Sequence, residues 1–124
     1  MDEKSVRDKV ITESAASYQK ITTPENILTN KEGDKKHDIQ GEYPDVIVRT
    51  KTGEMIIEKI ETESTIKKEK ADQWRRLASL GHEFKLVVPL SKIEDAKLLS
   101  TGIQNINVQA YDLVGDQIHW FGQR

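Results

Sequence analysis

"GEYPDVIVRTKTGEMIIEKIETESTI", residues 41–66, decides the fold. A Pro-Asp pair leads into the apolar strand "DVIVRT". "TKTG" supplies a tight turn with Gly53 where a positive φ is needed, and "EMIIEKIET" returns as a second strand. The second strand sets Glu58, Lys59 and Glu61 among Met55, Ile56, Ile57 and Ile60. Charges on a half-buried strand cost free energy unless they are paired, solvated or bound to a metal. The hairpin therefore either carries chemistry or is a solvent-facing edge. Alternation places Ile56, Glu58 and Ile60 on one face, and Ile57, Lys59 and Glu61 on the other.

Outward from the hairpin the period changes. Residues 3 to 19 read as a helix, with Val6, Val10, Glu13 and Ser17 on one stripe and Ile11 and Tyr18 on a second. "TTPEN" offers a Thr cap and Pro24 at a first helical position, predicting a short helical turn through Ile27 and Leu28. "KHDIQ" reads as a strand ahead of the hairpin, which makes a three-strand antiparallel meander. Beyond the hairpin, Ile66 to Leu80 reads as a helix with Ala71, Trp74, Leu77 and Ala78 inward and Gly81 as its stop. "FKLVVP" is a strand covered on both faces. "SKIEDAKLLSTG" is a helix opened by a Ser91–Glu94 capping box. "INVQAYDL" and "QIHWF" complete the strands. A meander feeding βαβ crossovers predicts an α/β domain over residues 1–124, a mixed sheet with helices on both faces.

Composition removes several function classes. At 124 residues the chain can bury a core without staples, and it has no cysteine for disulfide or thiolate chemistry. No eighteen-residue apolar run and no signal-like start occur, so a membrane span and export are not expected and a cytoplasmic location is. His37, His82 and His119 show no zinc-site spacing; of these only His37 stands near enough to the hairpin to approach its charges. No phosphate loop or nucleophile elbow is present. With a net charge of −2, attraction to nucleic acid needs a local patch, and "KKEKADQWRR", residues 67–76, supplies five cations against two anions. Such a run is equally a solvated face.

"YPDVIV", the hairpin, "IIEKIET", the helix with "ADQWRRL" and then "FKLVVP" together resemble the PD-(D/E)XK nuclease superfamily, the restriction-endonuclease-like fold, over roughly residues 1–113. The resemblance implies metal-dependent hydrolysis of DNA, with Mg²⁺ or Mn²⁺ held by carboxylates and a lysine beside the attacking water. Asp45 matches the first acid of that pattern. The acid-x-lysine of the next strand has two registers here: Glu58 as the acid, with Ile60 where lysine belongs, or Lys59-Ile60-Glu61 with the two charges exchanged. The second is favoured, because it groups two polar residues on one face. The resemblance then implies Asp45, Glu61 and Glu13 as metal ligands, with Lys59, Glu58 and Gln73 in the catalytic group. Lys67, Lys68, Lys70, Arg75 and Arg76 would form a DNA-binding rim, and a homodimer would give a body of this size more grip. The alternative is a catalytically inactive nucleic-acid-binding or scaffold module, in which Lys59 between carboxylates is a closed ion-paired cluster.

Overall fold

The computed structural model describes residues 2–31 and 34–122. Its elements are α1 (Glu3–Ser17), β1 (Ile27–Thr29), β2 (Val46–Arg49), β3 (Met55–Ile60), α2 (Lys70–Ala78), β4 (Glu83–Pro89), α3 (Ile93–Leu99), β5 (Asn107–Val114) and β6 (Gln117–Phe121). Six strands form one mixed sheet in chain order. β1, β2 and β3 are an antiparallel meander, β3, β4 and β5 run parallel, and β6 folds back antiparallel on β5. α2 and α3 are the crossovers that parallel neighbours require.

Period-two alternation divides the core. Val46, Val48, Ile56, Ile60 and Val87 face α1, where Val10, Ile11 and Tyr18 meet them. Ile47, Ile57, Leu86 and Val88 face the other side, against Trp74, Leu77 and Ala96 of α2 and α3. Helices thus cover both faces, and the α/β architecture with a meander and two βαβ units is as expected. Gly53 turns the β2–β3 hairpin at φ 88°. No helix among the described residues is long and apolar enough to cross a membrane.

Four local expectations fail, each for a visible reason. The first meander strand is Ile27–Thr29 rather than "KHDIQ", and Pro24–Asn26 forms a 3-10 turn that ends before it. "KHDIQ" cannot join the sheet because Asn30 has taken its backbone. The Asn30 Oδ1 accepts from Lys36 N–H at 3.1 Å and His37 N–H at 3.0 Å, and Nδ2 donates to the His37 carbonyl at 2.8 Å. The second helix starts at Lys70, not Ile66. A turn in which Thr62 N–H donates to Thr65 Oγ1 at 2.8 Å occupies the chain just ahead. The Ser91 hydroxyl donates to Glu63 instead of capping α3, which follows a 3-10 turn at Leu90–Lys92.

Candidate functional site

Asp45 stands just ahead of β2, where its N–H donates to the Glu58 carbonyl at 2.9 Å. Its side chain turns along β3 and is 1% exposed. Oδ2 accepts from Ile60 N–H at 2.7 Å and lies 3.5 Å from Lys59 Nζ, while Oδ1 is ion-paired with Arg7 Nη2 from α1. A carboxylate this buried is tolerable because three donors replace its water.

Asp45, Lys59 and Gln73 line one cavity of about 330 Å³ together with Arg7 and Arg76, and Lys35 and Tyr43 carried by the loop before β2 also line it. Its walls carry four cations (Arg7, Lys35, Lys59, Arg76) against three carboxylates (Asp34, Glu42, Asp45). The amide oxygen of Gln73 is buried and has no hydrogen-bond partner among the described residues. An acceptor in that state costs free energy until a donor meets it.

The other expected acids lie elsewhere. Glu61 shares its strand face with Lys59, but its carboxylate is held by Trp74 Nε1–H at 2.8 Å and by Lys70 Nζ at 3.7 Å, and it does not line the Asp45 cavity. Glu13 does not face inward: it pairs with Lys9 at 3.3 Å near the surface, and Ser14 takes the buried place. Asp45, Glu61 and Glu13 therefore do not assemble as a ligand set, and no group of three potential metal-binding side chains exists among the described residues. Mg²⁺ takes six oxygens, one or two of them from carboxylates and the rest from water and substrate. Asp45 has both of its oxygens on protein donors, so these residues do not fit a resident Mg²⁺.

Glu58 points to the opposite face, toward α1, and is fully buried. It accepts from Ser14 Oγ and from the Tyr18 hydroxyl, and that hydroxyl accepts from Lys85 Nζ at 3.0 Å. Lys85 Nζ also lies 5.1 Å from the Tyr18 ring centroid. A chain ammonium–phenol–carboxylate satisfies a polar group that α1 and the sheet would otherwise strand.

Of the expected rim, Lys67 and Lys68 are exposed. Lys70 is spent on Glu61, Arg75 pairs with Asp72 at 2.9 Å, and Arg76 pairs with Glu42 at 3.3 Å. His37 contributes its backbone, not its ring, to the Asn30 contacts. Sequence reasoning passed over Arg7, Ser14, Tyr18, Lys85 and Asn30. The one signal pointing to Ser14, Tyr18 and Lys85 is Glu58 itself, a carboxylate on β3 that needs donors from whatever covers that face; Arg7 and Asn30 had none.

A second hollow of about 290 Å³ lies beside Glu3, Glu63, Tyr111 and Asp112. Burial, and then the carboxylates of Glu63, Glu3 and Glu61, push the Tyr111 phenol well above the usual tyrosine range. The backbone N–H of Ser64 holds the Glu3 carboxyl below its ordinary value.

Fold and site together define an α/β domain whose buried aspartate is enclosed by cations at the end of a β-hairpin. No protein-family model and no curated protein matches the chain. Among solved structures it is similar to Pyrococcus furiosus SfsA, solved in complex with Ca²⁺. The TM-score is 0.47 and the identity 14%, over 93% of this chain and 59% of SfsA.

Proposed function

We propose that this chain is a catalytically inactive module of the nuclease fold that grips the phosphate backbone of nucleic acid with its own cations. The order of meander and crossovers supports the fold reading, as does the meeting of Asp45, Lys59 and Gln73 in one cavity. One observation carries the loss of hydrolysis: Arg7, Lys59 and the Ile60 N–H already hold both oxygens of Asp45. Phosphodiester hydrolysis at a carboxylate site requires oxygens free to hold the ion that ionises water. A backbone phosphate, by contrast, needs only cations and N–H donors. Arg76 and Lys35 at the cavity wall and Lys67 and Lys68 beside α2 supply them.

The test is fluorescence anisotropy of a labelled DNA duplex across a salt series, in EDTA and in Mg²⁺. The expected result is affinity that falls steeply with salt and is the same in both buffers. Nicking of supercoiled DNA with Mg²⁺ or Mn²⁺ would restore the hydrolytic reading, and absence of binding at low salt would remove nucleic acid as the partner. A homodimer would double the basic rim, and sedimentation at micromolar protein reads that directly.

A further inference from the structure

We infer that Arg7 is the permanent counter-cation of Asp45, standing where a carboxylate phosphodiester site holds a divalent ion, and that the Glu58 cluster locks it there. The inference deepens the reading above, on which it rests only in taking this cavity as the phosphate-binding place.

The side chains of Arg7 and Asp45 are 18% and 2% exposed, so the pair is well shielded from solvent. Arg7 and Ser14 are separated by two helical turns and lie on one line of α1. Tyr18 follows Ser14 by four residues, in the short turn that continues the helix. That line docks at two places on the hairpin: Arg7 on Asp45 ahead of β2, and Ser14 and Tyr18 on Glu58 of β3. Val10 and Ile11, between the two docks, are fully buried. The guanidinium therefore cannot swing away with its helix unless two hydroxyls leave a buried carboxylate. Displaced from Asp45, it would keep a longer contact with Asp8, at 3.8 Å. Lys59 would remain 3.5 Å from Oδ2, so the oxygen that removal of Arg7 opens to an incoming ion is Oδ1. Glu58, Ser14 and Tyr18 act here as positioning residues for Arg7.

The experiment is a Mn²⁺ titration of the full chain, read by calorimetry and by broadening of the Arg7 guanidinium N–H signals in ¹⁵N NMR. In the wild type the Arg7 signals should stay sharp, with no binding assignable to Asp45. Arg7→Met should bind Mn²⁺ at least tenfold more tightly, and adding Asp45→Asn should abolish the gain. Glu58→Gln should speed hydrogen exchange of the Arg7 guanidinium at least tenfold while the protein remains folded, an effect that a merely local loss of stability would not produce at that site. Broadening of the wild-type Arg7 signals by Mn²⁺, or a folded Arg7→Met protein with no gain in affinity, would overturn the inference. If Arg7→Met does not fold, the wild-type titration decides alone. No arm uses nucleic acid, so failure here is separable from failure of the binding reading.

Discussion

Tyr18→Phe is the sharpest probe of how the first helix is held to the sheet. The change keeps the ring, and with it its place in the apolar cluster between α1 and the sheet, and removes one oxygen. That oxygen donates to the buried Glu58 and accepts from Lys85 at 3.0 Å. Hydrogen bonds to charged groups are worth about 1.5–3 kcal/mol each, and Glu58 keeps the Ser14 hydroxyl, so a loss of about 3 kcal/mol is expected. For a domain of this size that lowers Tm by about 10 °C. Urea unfolding followed by tryptophan fluorescence should show a lower midpoint at an unchanged m-value. A cycle with Glu58→Gln should return a coupling of about 1 kcal/mol or more. A Tyr18→Phe protein within about 0.5 kcal/mol of the wild type would refute the reasoning, because a surface change costs no more than that.

Trp74→Phe removes the indole donor to Glu61 and should cost about 2 kcal/mol in the same assay, Lys70 remaining as a partner. Lys67→Ala and Lys68→Ala should weaken duplex binding at every sequence alike, each reducing the log–log salt slope by about 0.9. Tyr111 has its phenol raised by burial, so its stabilisation is whole below the unfolded tyrosine value and is lost as pH rises above it. Alkaline unfolding should therefore begin near pH 10, about where free tyrosine ionises. Tyr111→Phe should shift that limb upward in a pH series of urea midpoints.

The hairpin, the parallel strands and their helices were legible because their signals are long: a six-residue strand pattern in β3, a nearly continuous apolar run in β4, and a stop glycine after α2. β1 was not, since three residues give too little alternation to outvote a proline three places earlier. In α1 the apolar stripes located the helix but misplaced its inward face, because Ser14 is polar and still fully buried. Hydrophobic periodicity is blind to a hydroxyl that faces a buried acid. The Asp45–Lys59 meeting was implied by the family resemblance, with alternation choosing the face for Lys59, whereas the Arg7 pairing joins residues 38 positions apart and leaves no local trace. Glu61 was placed on the correct face, yet its partner there is an indole, a choice fixed by how α2 packs.

Asn30 joins its N–H to the Asp45 carbonyl at 3.0 Å and its amide to the Pro44 carbonyl at 2.7 Å, besides its bonds at residues 36 and 37. A single amide thus staples both ends of a loop that in most sheets would need a strand to shape it. Lys35 and Tyr43, which border the cavity, ride on that stapled segment and not on the sheet. Substitutions along it can recut the entrance while the ladder beneath stays intact. The shape of the cavity mouth and the robustness of the ladder are therefore free to drift separately in this molecule, except at Asn30, on which both depend.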